Sequence, residues 1–177
     1  RELLVRVTDA AKQMGLEAAV MTFEPHPRDF FAKLHNKPEL APARIATLRD
    51  KLLELSECGV DQCVVLPFNQ AFAAQTPQQF IQEVLVQGLG VKYVLVGDDF
   101  RFGAQRAGDY AMLDAAGAAQ GFDVARMNSY EVRGLRVSSS AVRDALNRGV
   151  MSEVTQLLGR PYAISGHVVH GRKLGRE

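Results

Sequence analysis

In RVSSSAVRDAL, Ser138, Ser139 and Ser140 stand in a row, and Arg143 follows three residues after the last. An amphipathic helical pattern begins at the same point. A helix N-terminus carries unpaired N–H groups and a partial positive charge, which suits a phosphate. The hydroxyls add donors at that end. Helical side chains lean toward the N-terminus, so Arg143 reaches back over the same spot and offers a planar two-pronged contact. On this reading the stretch is an anion cradle for a nucleotide's phosphates. The alternative is a serine cap followed by a solvent-exposed arginine.

Two further stretches could act on a ring. In TFEPHPRDFF, each proline pushes the residue before it toward extended geometry, so Glu24 and His26 are held in a stiff loop. Phe30 and Phe31 supply aromatic surface beside it, and His26 can donate a proton or a hydrogen bond. A proline-punctuated turn with an exposed histidine is the alternative. In GDDFRFGAQRAGD, Phe100 and Phe102 point one way and Arg101 the other if the segment is extended. A phenylalanine there can stack a ring and an acidic group can orient a polar edge. A loop closed by surface ion pairs is the alternative.

The elements that would position these residues can be read from periodicity. Leu3, Leu4, Val7, Ala11 and Met14 share one face of an opening helix. Ala18 to Phe23, Asp61 to Phe68, Val91 to Gly97 and Phe122 to Met127 read as apolar strands. Between them lie helices: one opened by Pro42 and stopped by Gly59, one capped by Thr76 with Pro77 and Gln79, and one over Tyr110 to Gln120. The serine helix follows, then a short helix closed by Gly159 before Pro161. Strands alternating with helices, and covered on both faces, predict an α/β fold with a doubly wound parallel sheet. All three unusual stretches fall at the carboxyl ends of strands or at a helix start beside them, where such sheets bind ligands. Gly159-Arg160-Pro161 is the predicted boundary. Beyond it YAISGHVVHG alternates, as an antiparallel strand of a separate all-β unit would. The opening helix without a cap and the glycine-rich ending suggest a chain cut at both ends.

The bulk composition narrows the function. The 177 residues suffice for one α/β domain with a core. Lys+Arg is 21 against Asp+Glu 20, which argues against a nucleic-acid surface. Cys58 and Cys63 form no CxxC, and no His/Cys cluster has zinc spacing, so no metal site is expected. They suit a reduced cytoplasm. No apolar run is long enough to cross a bilayer. The GxxxxGK[ST], GxGxxG and GxSxG signatures are absent from the sequence.

TFEPHPRDFF, VLVGDDFRFGAQRAGD and RVSSSAVRDAL, in this order, resemble the adenylyltransferase domain of bacterial bifunctional riboflavin kinase/FMN adenylyltransferases. LLGRPYAISGHVVHGRKLGR looks like the opening of their riboflavin kinase module. The resemblance implies a Rossmann-like domain over residues 1–158, and over 159–177 the first strand of a truncated β-barrel kinase module. It implies transfer of AMP from ATP to FMN, giving FAD and pyrophosphate with Mg²⁺, in a bifunctional parent that also phosphorylates riboflavin. Ser138, Ser139, Ser140 and Arg143 would hold ATP, with Ser139 and Arg143 in the catalytic role. Pro25, Pro27, Phe31 and Phe102 would frame the flavin, with His26 and Asp99 nearby. The family's serine motif usually reads Ser-Ser-Thr; a serine at position 140 keeps the hydroxyl. The family also carries an HxGH motif before its first helix and a PTAN segment in the kinase module, and neither is in this sequence. The other readings are an adenylyltransferase for another phosphorylated vitamin and a non-catalytic flavin- or nucleotide-binding fragment.

Overall fold

The computed structural model describes residues 2–127, 131–132 and 135–171. Helix α1 (Glu2–Met14) leads into strand β1 (Ala19–Glu24) and helix α2 (Pro27–Leu34). A short 3-10 turn, Pro38–Leu40, precedes helix α3 (Leu48–Glu57) and strand β2 (Gln62–Pro67). Helices α4 (Gln70–Ala73) and α5 (Pro77–Gln79) follow, and α5 continues as a π-wound stretch, Phe80–Gly88. Next come β3 (Tyr93–Gly97), α6 (Tyr110–Gln120) and β4 (Asp123–Met127). A hairpin of β5 (Glu131–Val132) and β6 (Leu135–Arg136) precedes α7 (Ser139–Asn147) and α8 (Met151–Leu158).

The strands form two parallel pairs. β1 lies beside β2 with Ala19 opposite Gln62 and Glu24 opposite Pro67. β3 lies beside β4 with Tyr93 opposite Asp123 and Gly97 opposite Met127. The alternation of strand and helix is therefore as the sequence predicts, but no ladder joins β1 to β3 among the described residues. Side chains join the two pairs instead: Phe23 meets Phe72, and Phe72 meets Phe80. The expectation that strands are covered on both faces also needs correction. No residue of β1 or β2 is fully buried, and Val65 is 37% exposed.

One core cluster gathers Phe80, Ile81, Leu85, Val96, Phe102, Leu113 and Phe122. A second, of Val142, Ala145, Val154 and Leu157, fastens α7 to α8. On α1 the inward face includes Ala11 and the buried Thr8, whose Oγ1 donates to the Val5 carbonyl at 2.9 Å; Met14 is left 45% exposed.

Helix boundaries follow local chemistry. Thr76 and Gln79 form the predicted reciprocal capping box, with Pro77 in the first turn. α6 has the predicted bounds, capped by Asp109. α8 ends on Gly159, whose φ of 70° is the left-handed conformation glycine adopts without strain.

Three expectations are corrected. Pro42 does not open a helix, because Thr47 and Asp50 form a capping box that starts α3 at Leu48. Pro27 to Phe31 do not remain a loop, because Pro27 supplies a helical φ at the first position and His26 caps it. Residues 161–171 form no strand, and Ile164, Val168 and Val169 are exposed. They alternate in sequence but find no partner strand among the described residues. Arg160 nonetheless pairs with Glu54 on α3 at 2.6 Å. The end of the predicted second unit, residues 172–177, lies outside the described residues.

Candidate functional site

The cap of the serine helix forms where the sequence places it. Ser138 is the N-cap of α7, and its Oγ accepts from the Ala141 N–H at 3.1 Å. The Val142 N–H goes to the Ser138 carbonyl at 3.1 Å. The amides of Ser139 and Ser140 sit one and two positions inside the helix, where no carbonyl of the helix can take them. Both serines are exposed. The two amides and the two exposed hydroxyls thus lie at the positive end of the helix.

Arg143 is half-buried, and its Nε donates to the Ala43 carbonyl at 2.6 Å. It makes no further hydrogen bond to a described residue. Among the described residues, nothing engages the two terminal nitrogens of its guanidinium.

The proline loop lies beside this arginine. The His26 Nδ1 accepts the Arg28 N–H at 3.1 Å, which closes the first turn of α2. An imidazole that accepts at Nδ1 carries its proton on Nε2. Burial lowers the His26 pKa from its ordinary 6.5; the charges of Lys51, Arg28 and Arg143 push the same way, and Asp29 opposes them. His26 is therefore a neutral donor near pH 7 rather than a cation. Lys51, from α3, donates to Thr22 Oγ1 at 3.1 Å.

Arg44 organises the loop. Its Nη1 and Nη2 fork onto the Glu24 carboxylate at 3.0 and 2.7 Å. Its Nε and Nη2 also donate to Asp29 Oδ2 at 3.1 and 2.8 Å. This pairing, led by the side-chain hydrogen bond, lowers the Glu24 pKa and raises that of Arg44. Pro25, Asp29, Phe30, Lys33, Leu34 and Arg44 line an open groove of about 660 Å³. Arg44 and Lys51 are absent from the sequence-level candidates. The sequence holds no signal for Arg44, which falls inside the helix expected to open at Pro42.

The flavin candidates are not all neighbours. Phe31 is 40% exposed and packs on Phe30 and Phe68. Phe102 is 7% exposed and lies between Phe80 and Phe100 in the core. From Phe31 to Phe102 the rings run in series through Phe68, Phe72 and Phe80, with centroids 5.4 to 6.2 Å apart. Phe102 is thus a core ring behind Phe100, whereas Phe31 presents its ring at the surface. Asp99 sits in the turn after β3, where the Phe100 N–H donates to the Gly97 carbonyl at 3.3 Å. Arg101 and Asp109 pair at 3.4 Å across the base of this loop. Among the described residues no group of three His, Cys, Asp or Glu could hold a metal ion. Cys58 and Cys63 are unbridged.

Parallel strands alternating with helices, with these loops at the carboxyl ends of the strands, have the architecture of a nucleotidyltransferase-like α/β domain. The likeness to known proteins narrows the class. The model of the FAD synthetase family matches residues 1–141, and the chain belongs to that family. It is 46% identical over 99% of its length to the bifunctional riboflavin kinase/FMN adenylyltransferase of Escherichia coli K12. It is 43% identical, again over 99%, to the enzyme of the same name from Pseudomonas fluorescens. The chain spans about half the length of these relatives, 55% and 54%. A solved structure called a macrolide-efflux protein, from Streptococcus pneumoniae, superposes with a TM-score of 0.74 at 25% identity, over 91% of this chain and 50% of its own. Among the described residues no helix is long and apolar enough to cross a membrane.

Proposed function

We propose that this chain carries the adenylyl-transfer half of an FAD synthetase, moving AMP from ATP to FMN. The observation that carries the proposal is the end of α7: amides of Ser139 and Ser140 without helical partners, on the same helix as an Arg143 whose two terminal nitrogens engage none of the described residues. Family membership supplies the substrates. A phosphate oxygen of FMN attacks the α-phosphorus of ATP, the bond to the bridging oxygen breaks, and pyrophosphate leaves. No covalent enzyme intermediate is needed, so catalysis rests on alignment and on neutralising charge. The Ser139 and Ser140 amides, the three hydroxyls and Arg143 receive the charge gathering on pyrophosphate. Mg²⁺ enters with ATP as part of the substrate.

The proline loop and its rings take the flavin. Pro25, Pro27 and Phe31 form one wall, with His26 as a neutral hydrogen-bond donor. Asp99 orients the polar edge, and Phe102 backs the opposite wall from the core through Phe100. We assign residues 1–158 to this module and residues 159–177 to the start of a riboflavin kinase module, which would make the intact protein bifunctional, as its relatives are named. Cys58 and Cys63, unbridged, fit a cytoplasmic setting.

Incubation of the intact protein with FMN, ATP and Mg²⁺, followed by chromatography for FAD, tests the assignment. Arg143→Ala removes a charged contact to phosphate, so kcat/KM for ATP should fall about 10- to 100-fold. FMN affinity, read by quenching of flavin fluorescence, should stay nearly unchanged. Normal use of ATP by this variant would refute the cradle.

A further inference from the structure

We propose that the segment 41–47 couples the two substrate sites, with Arg44 acting as a positioning residue for Arg143. This rests on the reading of Arg143 as the ATP-phosphate arginine. The connection is short. The carbonyl of Ala43 accepts from Arg143 Nε at 2.6 Å, and the next side chain, Arg44, forks onto Glu24 and Asp29. Glu24 ends β1 and Asp29 lies in the first turn of α2, so these two carboxylates bracket Pro25, His26 and Pro27. One peptide unit therefore joins the guanidinium aimed at ATP to the loop aimed at the flavin.

The geometry gives each end a defined task. Arg143 has five N–H donors in a rigid plane, and anchoring Nε fixes the direction of the other nitrogens. The anchor is a backbone carbonyl, which Arg143 cannot orient alone. Between the turn at Pro38–Leu40 and the start of α3, the segment has no helix or strand to hold it. Two side chains hold it: Ile45 packs against the α7–α8 core cluster, and Arg44 engages Glu24 and Asp29 at the two ends of the flavin loop with all three of its nitrogens. A shift of that loop on flavin binding moves Arg44, then Ala43, then the anchor of Arg143. Binding at one site thus alters affinity at the other, and the effect is reciprocal.

A double-mutant cycle in the intact protein tests this. Arg44→Ala touches no phosphate, yet it should raise KM for ATP about three- to tenfold, within the range seen for residues sharing one network. The same change made in Arg143→Ala should have almost no effect on KM for ATP, because the guanidinium it positions is gone. Arg44→Lys keeps the charge but loses the planar fork, so it should behave like Arg44→Ala. If Arg44→Ala does not fold, as judged by circular dichroism, Arg44→Lys carries the cycle under the same criteria. Additive effects in the double variant, or a defect confined to FMN, would overturn the coupling while leaving the cradle intact. A normal kcat/KM for ATP in Arg143→Ala alone would remove the cradle and the coupling together.

Discussion

The imidazole of His26 holds the first turn of α2. Its Nδ1 caps α2, and that acceptor exists only while the ring is neutral. Burial holds the folded pKa below 6.5, so the folded state prefers the unprotonated ring. The stability linked to it is present above 6.5 and is lost as pH falls through the depressed value. Asp29 opposes this shift, while Lys51, Arg28 and Arg143 reinforce it. His26→Ala should cost about 0.5–2 kcal/mol in urea denaturation, and His26→Asn, which restores a capping oxygen, should recover most of it. The asparagine variant should also lack the loss on acidification below 6.5; the same acid loss in both proteins would assign it to another group. Glu24 titrates in the same sense at lower pH, because Arg44 holds its pKa below the usual 4.5. Phe102 shows how burial revises a residue's role. A ring that is 7% exposed and packed between Phe80 and Phe100 stabilises the core before it touches a ligand. Phe102→Ala should therefore destabilise by about 3–5 kcal/mol, read by thermal or chemical unfolding. Weakened flavin binding in a variant of unchanged stability would place the ring in the site instead.

The loop between β3 and α6 is held by close approach. Phe102 and Gly108 exchange backbone hydrogen bonds at 3.2 and 2.9 Å, and the Ala104 N–H reaches the Gln75 carbonyl at 2.7 Å. Gly103 adopts a φ of +71°, and a Cβ there would lie 2.6 Å from the Pro77 nitrogen. Gly103→Ala therefore meets backbone strain and a rigid neighbour together. It should lower the melting temperature and speed proteolysis of this loop; an unchanged melting temperature would show that the loop can shift away from α5. Elements fixed by such local chemistry were legible in the sequence. The Thr76 box, the bounds of α6, the Ser138 cap and the Gly159 stop each depend on residues a few positions apart. The start of α3 was misread because Pro42 is also suited to a first helical turn, while the Thr47–Asp50 box five residues on decides the matter. Arg44 and the Arg143 anchor were not legible at all. Their partners lie 20, 15 and 100 residues away in sequence, and only tertiary structure brings them together.

Across the whole molecule the charge is nearly balanced, at +1 with histidines neutral, yet its distribution is not even. Arg28, Lys51 and Arg143 all act on His26. Arg44 is largely neutralised by Glu24 and Asp29, so the cations left to act on a ligand include Lys51, Arg28, Arg143 and the groove residue Lys33. With so small a net charge, the molecule as a whole draws an anion little, and these side chains would supply the attraction locally. Salt should therefore weaken substrate capture without much effect on folding. Screening shortens from about 10 Å at 0.1 M to about 3 Å at 1 M, a span that covers the reach of these side chains. Raising ionic strength over that range should increase KM for ATP several-fold while the melting temperature of the intact protein changes little. Lys51→Gln should flatten the dependence, because Lys51 hydrogen-bonds the neutral Thr22 hydroxyl and shares the Glu24 carboxylate, which Arg44 already holds, only through space. An ATP KM that stays constant across the salt series would mean that the ligand's phosphates do not approach this cluster, and the placement of ATP between α7 and the proline loop would have to be abandoned.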